Sequence, residues 1–126
     1  MNAHFQSIGE EFVRFYYSNH DNAQTRRNLL NLYDENALLT YEGDQRQGKN
    51  PIMEKLMAGP TQMAHEITKI DCQPLIDGGI LASVIGQMKA EGESIPLSFT
   101  HIFVLKPANN QFYIQHEMFR LCLHNC

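Results

Sequence analysis

The chain contains no tryptophan and only three cysteines, Cys72, Cys122 and Cys126. An odd number with no C-x-x-C pair argues against a disulfide framework and against a zinc site, so reduced thiols in the cytosol or nucleus are expected. There is no lysine/arginine stripe either. Ten basic residues face fourteen acidic ones, for a formal charge of −4. That balance suits a phosphate backbone poorly and a basic protein partner better, and no nucleic-acid ligand is expected. No apolar run approaches the ~20 residues that span a bilayer, so no membrane segment is expected. The opening "MNAHFQSIGEEF" has neither the basic nor the apolar region of a signal peptide, and "LHNC" is not a prenylation box. Repeats, low-complexity stretches and linkers are absent as well, which leaves residues 1–126 to be read as a single domain.

What is present is enough apolar material for one core: 43% hydrophobic residues, with seven Phe and five Tyr. Phe5, Ile8, Phe12 and Phe15 recur at spacings of three and four and predict one apolar stripe on a helix, widened by Tyr16. Asp21 with Gln24 suggests a capping box for a second helix carrying Leu29, Leu30 and Tyr33. "ALLTYEG" reads as a short strand. In "GKNPIMEKLMAGP", Asn50 suits a cap, Pro51 the first helical position, and Gly59-Pro60 a stop.

Beyond Pro60 the period becomes two. Residues 65–76, 79–91, 95–107 and 111–124 read as long strands, separated by turn signals at Asp77-Gly78-Gly79, Glu91-Gly92-Glu93 and Asn109-Asn110. Leu97, Phe99, Phe103 and Leu105 share one face with His101, while Ile102 and Val104 make the other face apolar too. Both faces are therefore expected to be covered, one by helices and one by a second copy of the chain. The order ααβαββββ predicts an α+β fold, a long curved antiparallel sheet wrapped around three helices with a pocket at its open end.

Glu42 sits at the mouth of that pocket. It reads equally as a solvated carboxylate, as a general base served by a Tyr16 or Tyr17 donor, or as one point of an acidic cluster around an apolar hollow. Glu91 and Glu93, two apart at a turn, suit the cluster or plain solvation. His65, which opens the strand beyond Pro60, lines the same mouth or is a plain strand-end polar residue. No H-x-x-x-H or H-E-x-x-H spacing points to a metal, and His101 and His116 read as core or rim histidines. No G-x-S-x-G elbow, reactive cysteine context or phosphate loop appears, so neither a catalytic nucleophile nor a cofactor is expected. Met53, Met57 and Met63 suit core or pocket lining.

The blocks "IGEEFVRFYY", "YEGDQRQGKNPIMEKL", "HEITKIDCQP", "VIGQMKAEGE" and "EMFRLCLHN" resemble, in order and spacing, the nuclear transport factor 2 family. The resemblance implies a cone-like fold. It also implies a homodimer that carries the GDP form of the small GTPase Ran into the nucleus and binds Phe-x-Phe-Gly repeats of nucleoporins weakly. Such a protein works in cytoplasm and nucleus, concentrated at the nuclear envelope, and is not an enzyme. By this resemblance Glu42, Glu91 and Glu93 are acids around the Ran-binding cavity, Tyr41, Met63, His65 and Phe119 are cavity residues, and Phe5 is the repeat-binding aromatic. Where the family pattern has Trp, this chain has Phe5 and Tyr41. Where it has an Asp-x-Asp pair, this chain has Glu91 and Glu93. "MAGPTQMAH" is one residue shorter than usual, which predicts a more open rim. The competing reading is a small-molecule enzyme of the same fold, steroid-isomerase-like or dehydratase-like, with Glu42 as general base in a closed cavity.

Overall fold

The computed structural model describes residues 2–122. The expectations for Cys126 and for the last two residues of the 111–124 strand lie outside the described residues. Helix α1 spans Phe5–His20 and helix α2 spans Ala23–Arg26, followed by a 3-10 segment at Arg27–Leu32. Strands β1 (Tyr33–Tyr41) and β2 (Asp44–Gln47) precede helix α3 (Lys49–Met57). Strands β3 (Met63–Pro74), β4 (Ile80–Ala90), β5 (Leu97–Ala108) and β6 (Gln111–Leu121) complete the chain.

The predicted stripe of α1 is present but rotated. Gly9, Val13, Tyr16, Tyr17 and His20 are its buried face, and Phe5, Ile8 and Phe12 pack beside them. Phe15 points outward, about half exposed. At 3.6 residues per turn the row continues from Phe12 to Tyr16, which takes residue 15 off the face.

The second helix is shorter than its pattern suggested. Asn22, not Asp21, caps it by accepting from the Gln24 N–H at 2.8 Å, and Asp21 is engaged elsewhere. Tyr33 opens β1 rather than closing a helix, because its hydroxyl reaches a carboxylate in the core 84 residues away. A tertiary contact thus overrides weak local propensity. Helix α3 begins at Lys49 with Gly48 at the cap, so Pro51 falls in the first turn but not at its first position.

"DQRQ", to which the sequence pattern assigns no element, is an edge strand. It folds back on β1 through Glu42-Gly43, both at positive φ (51° and 86°), with Tyr41 opposite Asp44. A two-residue loop of that kind matches strand twist, and glycine fits its second position without strain. The sheet order is β2-β1-β6-β5-β4-β3. The four long strands form the expected antiparallel meander, but β1 lies parallel to β6, so the sheet is mixed. Bulges at Ile67/Lys69 and Val104/Leu105 interrupt the ladders, and such bulges bend strands.

The result is three helices against the inner face of a curved, unclosed, six-stranded sheet. Val13, Leu29, Leu39, Ile52, Ile80, Val84, Phe99, Phe103, Leu105 and Ile114 fill the space between. On the outer face Ile85 and Met118 are about half exposed, with the partly covered Ile102 paired to Met118 across β5–β6.

Candidate functional site: a cavity between two acidic turns

The end of α3 and the following loop stand away from β1 and leave a cavity of about 200 Å³. Tyr41, Met63, His20, Lys55 and Leu56 line it, together with the backbone of Ala58–Pro60. Its floor is rigid: Tyr41 stacks on Phe119 at 4.6 Å between centroids, and Phe119 on Phe99 at 5.5 Å. Lys55 lies 5.5 Å from the Tyr41 ring centre and 3.4 Å from Asp44, so its charge is held to one side of the opening.

The wall opposite Tyr41 is secured by Arg26. This guanidinium is fully buried, has no carboxylate partner among the described residues, and donates to three carbonyls: His20 at 2.6 Å, Leu56 at 3.3 Å and Pro60 at 2.7 Å. Two of these are at helix C-terminal ends, where a cation meets unpaired carbonyls and the negative end of the dipole.

Acidic turns flank the cavity. Glu42 is exposed beside Tyr41; its N–H donates to the Phe119 carbonyl at 3.0 Å, and its carboxylate accepts from the Leu121 N–H. On the other side Met63 lines both the cavity and a shallow hollow that contains Glu91 and Glu93. The Glu91 N–H donates to the Gln62 carbonyl at 3.0 Å, which sets that turn against the start of β3.

The structure therefore brings Tyr41 and Met63 to the cavity, with Glu42, Glu91 and Glu93 beside it. Phe119 is buried behind Tyr41 instead of facing the opening. His65 turns the other way, to Asp21. Phe5 is partly buried at the far end of α1, roughly 22 Å from His20 by helical rise.

Two constellations escaped the sequence. The first is a buried carboxylate, Glu117. It accepts from Tyr33 at 2.6 Å, from Tyr16 at 2.8 Å and from His101 Nε2 at 2.6 Å, while Tyr17 donates to His101 Nδ1. All five groups lie in the core. Burial alone would raise Glu117, but the bonds from His101, Tyr33 and Tyr16 outweigh it and hold the carboxyl below its ordinary value. Burial lowers His101, which stays neutral with its proton on Nε2. Burial and the Glu117 charge both raise Tyr16, Tyr17 and Tyr33, so these hydroxyls remain donors. Neither Tyr16 nor Tyr17 is therefore the expected donor beside Glu42. A sequence signal existed: Glu117 shares the inward phase of Phe119 on β6.

The second is His20, Asp21 and His65, whose ligating atoms lie within 4.8 Å of one another. His65 Nδ1 is 2.5 Å from Asp21 Oδ1, and the His65 N–H donates to Oδ2 at 3.1 Å. Burial would raise Asp21, but the neighbouring imidazoles of His20 and His65 lower it to about 2. Burial lowers His20. No spacing motif could have revealed this group, because 44 residues separate Asp21 from His65.

A curved sheet wrapped around helices, with a cavity at its mouth, defines the nuclear-transport-factor-2-like class of fold. Residues 8–121 match the family model described as the nuclear transport factor 2 (NTF2) domain. The chain is 40% identical over 131 residues to a probable nuclear transport factor 2 of Caenorhabditis elegans, covering 98% of this chain and 97% of that one. It is 37% identical over 123 residues to nuclear transport factor 2 of Kluyveromyces lactis, covering 96% and 97%. The structure of Ntf2 from Cryptosporidium parvum superposes with a TM-score of 0.90 at 34% identity, covering 97% and 98%. The chain belongs to the nuclear transport factor 2 family.

Proposed function

We propose that this protein, acting as one domain, is a nuclear import carrier that binds the GDP form of the small GTPase Ran. Family membership supports a role in nuclear transport. The observation that carries the finer reading is the cavity between Tyr41 and Met63, flanked on one side by Glu42 and on the other by Glu91 and Glu93. A hollow sized for one large side chain, with carboxylates on the turns beside it, fits an aromatic anchor set among lysines or arginines. Nucleoporin Phe-x-Phe-Gly repeats dock at Phe5, at the opposite end of α1. Several weak contacts along one repeat chain then add through effective concentration. A homodimer forms through the outer sheet face around Ile85, Ile102 and Met118. The carrier works in cytoplasm and nucleus and collects at the nuclear envelope.

The carrier is not an enzyme in this reading. Glu42 is exposed on a tight turn rather than enclosed, and the hydroxyls of Tyr16 and Tyr17 are taken by Glu117 and His101. The interior that would hold a small substrate is filled by aromatic side chains.

Calorimetric titration with Ran, loaded with GDP or with a GTP analogue, tests the proposal. Binding is expected for the GDP form alone. Glu42→Lys is expected to abolish it while leaving the fold intact, since a like charge across the interface costs several kcal/mol. Wild-type binding by that variant would remove Glu42 from the interface, and no binding to either nucleotide form would refute the carrier reading.

A further inference from the structure

The cluster at the end of α1 serves neither the core network nor the flanking acidic turns. Its distinguishing feature is His20 Nδ1, which is buried and, among the described residues, has no hydrogen-bond partner. The His20 side chain is 7% exposed. Its nearest candidate, Asp21 Oδ1, is 3.7 Å away, too far for a hydrogen bond. A buried polar nitrogen left unpaired is costly, and such a group in a native fold calls for a partner.

We propose that His20, Asp21 and His65 form a binding site for a divalent transition-metal ion of the Zn²⁺ type. The donors are two imidazole nitrogens and one carboxylate oxygen, a set suited to borderline ions and to zinc in particular. In a tetrahedral site with bonds of ~2.0–2.1 Å the donors stand about 3.3 Å apart. Here one donor pair is at 3.7 Å and another at 2.5 Å. An ion that replaces the proton between His65 and Asp21 needs only a small outward shift of the His65 ring, and it supplies His20 Nδ1 with its missing partner. The fourth position is left for water or for a donor from a docked molecule.

The carboxylate is already oriented. The His65 N–H holds Asp21 Oδ2 at 3.1 Å, and the Met63 N–H holds the Asp21 carbonyl at 2.8 Å, so the ligand sits on a fixed backbone. Outer contacts of this kind position metal ligands. Burial lowers His20 toward the neutral form that a metal requires. Entry is through the surface hollow that Asp21 and His65 share with Ser18 and Arg14. The site joins the C-terminal end of α1 to the start of β3, and His20 also lines the cavity. A bound ion would therefore stiffen one wall of that cavity.

The test is calorimetric titration of the full chain with Zn²⁺ alone, paired with the visible absorption of the Co²⁺-loaded protein. One ion per chain is expected, with the d–d bands of a nitrogen/oxygen site. His20→Gln and Asp21→Asn, checked for folding by circular dichroism, are expected to weaken binding by about tenfold or more, while Cys122→Ser leaves it unchanged. No uptake, full-affinity uptake by both cluster variants, or a thiolate-to-cobalt charge-transfer band in the wild type would overturn the proposal. The last readout needs no variant to fold.

Discussion

Replacing Glu117 by glutamine keeps the shape of the side chain and removes the charge on which three donors converge. In the wild type one carboxylate oxygen serves Tyr33, and the other serves Tyr16 and His101. An amide can keep its oxygen toward Tyr16 and His101. Its NH₂ group then faces Tyr33, whose hydroxyl must turn to accept and can redirect its proton only to Tyr16 Oη, 3.5 Å away. Each bond to the charged group contributes roughly 1.5–3 kcal/mol against about 1 kcal/mol for a neutral one. Losing the charge at three bonds therefore costs about 1.5–6 kcal/mol. Glu117→Met, which leaves three buried donors with no acceptor, is expected to cost more, at about 1–3 kcal/mol for each unsatisfied donor. Urea unfolding at fixed protein concentration measures both, since association would otherwise shift the midpoint. Each loss is a large share of the ~5–15 kcal/mol that holds a domain folded. Equal midpoints for wild type and Glu117→Gln, or a methionine variant more stable than the glutamine one, would refute this account of the core.

Stability should fall as the solution is acidified. Burial holds His101 below the 6.5 of a free imidazole, and its hydrogen bonds hold Glu117 below 4.5. The unfolded chain therefore takes up protons first, and the contribution is complete above about pH 6.5 and lost below it, through His101 and then Glu117. A melting temperature that is flat from about pH 7 to about pH 4 would contradict this. Gly86→Ala places a Cβ 2.3 Å from the Glu66 backbone carbonyl across the β3 bulge. Because neither backbone can yield, a loss of about 1–3 kcal/mol or more is expected in the same unfolding assay. Phe5→Ala is expected to weaken nucleoporin-repeat binding in pull-down or calorimetry without changing Ran binding. Equal loss of both would place the repeat site elsewhere or indicate misfolding.

The local elements were legible because each is written in its own residues. The three- and four-residue spacing from Phe5 to Tyr16 made α1, and alternation with turn residues at Asp77–Gly79 and Asn109-Asn110 made the meander. What escaped depends on contacts between distant segments. The parallel pairing of β1 with β6 joins Leu38 to His116, and no local period records a partner. Strand β2 is an exposed, charged edge whose polarity resembles a turn. Tyr33 leaves the helical pattern for a carboxylate 84 residues on. Tyr41, Met63 and the three flanking glutamates were placed near one cavity by resemblance; the Glu91-Gly92-Glu93 turn was readable, while the hairpin at Glu42-Gly43 was not. The direction of His65 was not, because it is decided by Asp21 at the end of another element.

Arg26 has a dynamic consequence. Its single guanidinium holds the carbonyls that end α1, those near the end of α3, and the Pro60 loop. No one of these segments can lift away without stranding a buried charge. Local opening at this end of the molecule is therefore cooperative: amides in the last turn of α1 and the last turn of α3 should exchange with solvent at a common free energy, although 30 residues separate Arg26 from Leu56. Whatever enters the cavity meets a wall that opens as one unit or not at all.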